Sequence, residues 1–339
     1  MTAPGESAPT QGQTTVSGVA PRQRRGGERS MVPPGEPRSY YGQPVLAKPV
    51  WSKEIPLYFW VGGIAGASAP LALVASLSGN DELARRAQGA ALAGALISPV
   101  LLIKDLGKPM RFFNMLRVFK VTSPMSVGSW ILSGFSAAVT LGAAREFTDR
   151  LPRLGRTGQV AGLLLGPGLS TYTAALIANT AVPAWHDARG ELPYVFATSS
   201  LATAGGLATA LTPPRSAGPA RRLTVAGAVA ELVVTQVMER RLSERVGAAY
   251  HHGRPQQLLR AAKALNAAGA MAVAASRGRR PAATAGGLAV LAGGLLARWG
   301  IFAVGVASAQ DPKATVGPQR DRLHRRPGTV GTASAAGSV

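Results

Sequence analysis

Apolar stretches of membrane-spanning length recur along this chain from Leu57 onward, separated by short charged interruptions. They fall at about 57–77, 87–103, 125–144, 159–180, 194–211, 222–238, 258–275 and 283–307, the seventh being the weakest. A helix needs roughly 20 predominantly apolar residues to cross the hydrocarbon core of a bilayer. Eight such helices with short connections consume nearly everything between residues 51 and 309 and leave no room for a second soluble domain. The runs are continuous instead of alternating with period two, which argues against a transmembrane β-barrel. The expected fold is all-α, a polytopic membrane helix bundle of about eight transmembrane helices.

On either side the character changes. Residues 1–50 are polar, rich in Gly, Pro and Ser, and carry Arg22, Arg24 and Arg25 without the apolar centre of a secretory signal peptide. They read as a disordered basic tail, and 310–339 as a second disordered tail. Within the spans, small residues recur four apart, as in Gly62 with Gly66 and Gly162 with Gly166, a spacing that lets helix backbones approach closely in lipid.

Charge bears on partners and orientation. With 37 Lys+Arg against 16 Asp+Glu the formal net charge is +21. That excess is spread over loops and tails with no basic module interleaved with aromatics, so nucleic acid is not the expected partner. Eight spans put both termini on one face, and the basic tails assign that face to the cytoplasm by the positive-inside rule. The expected location is the inner (cytoplasmic) membrane.

Redox chemistry within the polypeptide is tightly limited. The chain has no cysteine, so it offers no thiolate for an iron–sulfur cluster or a zinc site. The four histidines, His186, His251, His252 and His324, all fall outside the apolar runs. A transmembrane b-type haem takes axial histidines projecting into the bundle, so no haem is expected.

Polar residues gather instead at particular span ends. Asp105 lies where the second span runs out, flanked by Lys104, Lys108 and Arg111, with Gly107 and Pro109 ending the helix. A headgroup-level salt bridge and a functional carboxylate both fit that position. Tyr172, Thr173 and Asn179 punctuate the otherwise lipid-like fourth span and should face the bundle or a ligand. Deeper, Glu231 falls near the middle of the sixth span and Arg298 well inside the eighth. Each costs about 2.5–3.5 kcal/mol at a helix centre on insertion scales. A mutual ion pair, a proton path through Glu231 and Arg298, and snorkelling each account for such a pair.

Several of these runs are similar to one family. Asp105-Leu106-Gly107-Lys108-Pro109 with Arg111-Phe112, Asn114-Met115-Leu116-Arg117, Ser123-Pro124-Met125-Ser126, Gly128-Ser129-Trp130, Tyr172-Thr173 and Ala181-Val182-Pro183-Ala184-Trp185 resemble the NrfD/PsrC family of polysulfide-reductase-type integral membrane subunits. The resemblance covers roughly residues 51–210. It implies a haem-free subunit that binds menaquinone or its quinol. Electrons would pass between the quinone pool and a four-cluster ferredoxin-like iron–sulfur subunit, which serves a molybdopterin catalytic subunit of the polysulfide, thiosulfate or formate type. By the same resemblance the headgroup lies where the first and fourth spans meet, near Glu54, Tyr58 and Tyr172. Tyr58 stands where the best-known member has a histidine. Glu54 or Asp105 would take the protons that quinol oxidation releases.

Two readings from other classes stay open beside this one. Eight Gly-rich spans with polar interruptions also suit a secondary transporter, although the two halves show no inverted repeat. A purely structural anchor would use the basic tail to hold anionic lipid or an acidic partner.

Overall fold

A computed structural model describes residues 45–49, 51–148, 151–242, 244–312 and 314–316, all of them in one unit, Ser39–Val339. The expected tails, 1–50 and 310–339, fall almost wholly outside the described residues. The described chain is helical, with no strand among the described residues.

Eight long helices carry the fold: α1 (Glu54–Leu77), α2 (Asp81–Leu106), α4 (Pro124–Thr148), α5 (Pro152–Ala178), α7 (Leu192–Leu211), α8 (Gly218–Arg241), α10 (Gly253–Ala275) and α11 (Arg280–Gln310). Three short ones, α3 (Met110–Leu116), α6 (Pro183–Asp187) and α9 (Glu244–His251), lie in the connections. Their limits follow from local chemistry. The Asn80 side chain accepts from the Leu83 amide and starts α2, while Gly107, at φ 71°, stops it. Proline occupies the first turn of α5, α6, α7, α8 and α11, where its missing N–H costs nothing.

Successive long helices run antiparallel, and side-chain contacts fix the two ends of the bundle. At the upper end the start of α1 meets the end of α2 through Ser52 and Asp105, and the end of α5 through Tyr58 and Tyr172. There the end of α8 meets the start of α7 through Arg241 and Glu191, 3.2 Å apart. At the lower end the α1–α2 turn meets the α7–α8 turn, where Asn80 donates to the Ser216 carbonyl at 2.9 Å. The start of α1 and the end of α11 therefore share the upper face.

Small residues set the helix spacing. A β-carbon on Gly66 would overlap the Gly166 carbonyl, and one on Gly166 the Gly66 carbonyl. The backbones of α1 and α5 are in contact there, which only glycine on both sides allows. One glycine of each four-residue spacing seen in the sequence thus meets the other, while Gly62 lies against Ser98 of α2 and Gly162 against Ala69. Gly269 and Gly286 join α10 to α11 in the same reciprocal way.

Six of the eight long helices, all but α8 and α10, are long and apolar enough to cross a membrane. Two pairs of the polar groups in the other two helices face each other across the α8–α10 contact. Asn266 of α10 donates to Glu231 of α8 at 2.9 Å, and Lys263 of α10 bonds Glu239 of α8 at 2.5 Å. Pairing of this kind satisfies inside the bundle what lipid does not. The chain is a multi-pass helical membrane protein.

Candidate functional site

The first turns of α1 bring together most of the residues singled out in the sequence. Tyr58 is buried and half-buried Tyr172 reaches it from α5; their hydroxyls hydrogen-bond each other. One turn above Tyr58, Glu54 receives the ammonium of Lys104 at 3.0 Å. Beside it Asp105 accepts from the Ser52 hydroxyl at 2.5 Å and from the Ser52 amide at 3.1 Å. The same three contacts tie the start of α1 to the end of α2, so the acids have a structural duty as well as a chemical capacity.

One helical turn below Tyr58, the hydroxyl of Ser98 is fully buried and has no hydrogen-bond partner. It lies against Gly62, whose missing side chain leaves space between α1 and α2. An orphaned polar atom in a dry interior is costly unless something satisfies it. On the other side the Tyr172 ring lies across Gly128 of α4, where a β-carbon would overlap it. The sequence alone does not mark Ser98 and Gly128 as site residues. Gly128 did stand in the Gly128-Ser129-Trp130 run, and Ser98 carried no signal beyond being a hydroxyl in an apolar stretch.

The walls are aromatic and aliphatic. Ile55, Phe59, Leu102 and Phe112 are buried in the same core cluster as Tyr58. Trp51 stacks on Trp185 with ring centroids 5.7 Å apart, and the Trp185 indole N–H donates to the Ile301 carbonyl at 2.8 Å. That anchor closes the upper face between α6 and α11. A third phenol there, Tyr250 of α9, is buried without a hydrogen-bond partner. Burial, then the nearby Glu239 and Asp187 carboxylates, raise its pKa above the usual phenol range, so it stays neutral.

Glu231 and Arg298 form a separate polar centre among α7, α8, α10 and α11. Both are buried, yet no ion pair within 4.0 Å joins them. Glu231 is held by Asn266. The Arg298 guanidinium lies over the Phe196 ring, 3.9 Å from its centroid. It donates to the Phe196 carbonyl at 2.9 Å and the Ser200 hydroxyl at 3.3 Å. Nε and one terminal nitrogen of Arg298, the Ser199 hydroxyl and the Asn266 amide oxygen are left without partners. A narrow cavity beside Glu231 continues past Thr235 to Glu239 and Lys263. No cluster of three or more metal-ligating side chains occurs among the described residues.

Fold and site together define a multi-pass membrane protein whose acids, hydroxyls and aromatics converge at one end of the bundle. A family model described as polysulphide reductase, NrfD matches residues 43–243, from just before α1 to just after α8, and the chain belongs to that family. None of the curated proteins matches it. Membership makes it a membrane subunit of an oxidoreductase complex, of the kind that pairs with iron–sulfur and catalytic subunits.

Proposed function

We propose that the chain binds a quinone at the upper ends of α1, α2, α4 and α5 and is the quinone-facing subunit of its complex. The observation that carries this reading is the Tyr58–Tyr172 hydroxyl pair, set between an apolar wall and the Glu54–Lys104 pair one turn above. The residues present suit such a ligand: two phenolic donors, a buried unpartnered hydroxyl at Ser98 and flanking aromatic surface. Menaquinone is the member of the class that the family resemblance implies.

A bound quinol supplies two electrons and two protons. The tyrosine hydroxyls hold the ring oxygens by exchanging their mutual hydrogen bond for bonds to the ligand, at little net cost. Glu54 takes a proton, and Lys104, whose side chain is 68% exposed, links that carboxylate to water. Asp105, engaged by Ser52, positions the end of α2 and is the second acceptor. Electrons leave to a four-cluster ferredoxin-like subunit on the upper face and from there to a molybdopterin subunit. The basic tails assign this face to the cytoplasm of the inner membrane, which favours a catalytic partner of the formate dehydrogenase type.

Binding of a menaquinone analogue to the purified, detergent-solubilised chain, followed by fluorescence quenching or calorimetry, tests the proposal. Micromolar binding weakened by Tyr172→Phe or Glu54→Gln is the expected result. Absence of binding, repeated with the iron–sulfur partner present, overturns it.

A further inference from the structure

At the opposite end of the bundle, α4 and α5 leave an open groove that the quinone reading does not use. Arg145, Arg153 and Arg156 line its mouth, and Val160 and Leu164 its floor. The arginines are organised. Gln159, 4% exposed, accepts from Arg145 at 3.0 Å and from Arg156 at 3.2 Å on a single amide oxygen. Two guanidiniums that would otherwise repel are thereby held side by side, each with further N–H groups to donate. Among the described residues their contact with acids is slight: Glu146 approaches Arg145 at 3.9 Å and is itself bonded by the Gln159 amide at 3.3 Å.

We propose that this groove binds an anionic phospholipid, with its phosphate on the three arginines and an acyl chain along Val160 and Leu164. Three features select a lipid. The arginines lie at the end of two helices that are long and apolar enough to span, which is headgroup level. The apolar floor continues from them into the span. Val160 and Leu164, 43% and 72% exposed, stand eight and twelve residues beyond Pro152, or about 12 and 18 Å along the helix. A soluble anion has no use for that floor, and a zwitterionic lipid brings no net charge to offset three guanidiniums.

Native mass spectrometry of the full chain, delipidated in detergent and titrated with dioleoyl phosphatidylglycerol or dioleoyl phosphatidylcholine, tests the site. The expected result is one retained phosphatidylglycerol, with phosphatidylcholine held roughly tenfold less well or worse. Arg153→Gln with Arg156→Gln should lower retention of phosphatidylglycerol about tenfold or more while circular dichroism shows the helices intact. Leu164→Asn should weaken it through the acyl chain alone. Arg85→Gln with Arg86→Gln, exposed residues at the same end, should leave it unchanged. Equal retention of the two lipids, no effect of the arginine pair, or displacement by millimolar inorganic phosphate each overturns the proposal.

Discussion

Gly128 is the floor on which the Tyr172 ring rests: a β-carbon there would occupy the space of the ring's own carbons. The position of the Tyr172 hydroxyl, and with it the bond to Tyr58, depends on α4 having no side chain at this point. Gly128→Ala is expected to displace the ring and weaken quinone-analogue binding by at least tenfold, at an overpacking cost of about 1–3 kcal/mol. Titration of the analogue alongside thermal unfolding in detergent separates the two effects. Unchanged affinity in a folded variant would show that Tyr172 does not touch the ligand.

Glu231 and Asn266 give a second test, because a hydrogen bond and a charge predict different rankings. Glu231→Gln keeps an acceptor for the Asn266 amide and should change stability by less than about 1 kcal/mol. Glu231→Leu removes it and leaves a buried donor orphaned, at about 1–3 kcal/mol. Thermal unfolding of both variants decides. If Gln is as damaging as Leu, attraction to Arg298 outweighs the bond to Asn266.

Trp185 is buried, clamped by the Ile301 carbonyl and stacked on Trp51, and Gly305 of α11 lies directly beneath its ring. Gly305→Ala should destabilise by about 1–3 kcal/mol through overpacking. Trp185→Ala should cost about 3–5 kcal/mol through the cavity it leaves. The double variant should recover part of the sum, since the alanine methyl then fills space the indole vacated. Strict additivity in a thermal-unfolding cycle would contradict this packing.

The eight long helices were legible in the sequence because each apolar run approaches the length that a membrane span needs. The short helices α3, α6 and α9 were not, since segments of five to eight residues carry too little periodicity to register. Glu54 and Asp105 could be placed at one end by counting spans. That Asp105 would take Ser52 while Glu54 takes Lys104 could not, because the rotation of each helix about its axis is set by distant contacts such as Gly66 on Gly166. The meeting of Tyr58 with Tyr172 came from the family resemblance alone. Glu231 and Arg298 were recognisable as buried charges, yet a direct ion pair was only one of the open readings. Asn266, the group that meets Glu231, drew no notice in the weakest apolar run.

That weakest run bears on topology. α8 and α10 are less apolar than the other six long helices, but their polar groups pair across the contact between them, and Gly269 seats α10 against α11. Both are therefore expected to cross the membrane. The chain has no cysteine, so single cysteines report position without background. Arg215→Cys and Arg279→Cys lie in lower-end connections, and Lys120→Cys and His251→Cys at the upper end. In vesicles of defined sidedness, a membrane-impermeant maleimide should label 215 and 279 from one side, and 120 and 251 from the other. If α8 does not cross, 251 labels from the side of 215; if α10 does not cross, 251 and 279 label together. Either result would reduce the number of spans and move the end of α11 to the face opposite Tyr58, unless both occurred at once. In that case 215, 251 and 279 would all share one side.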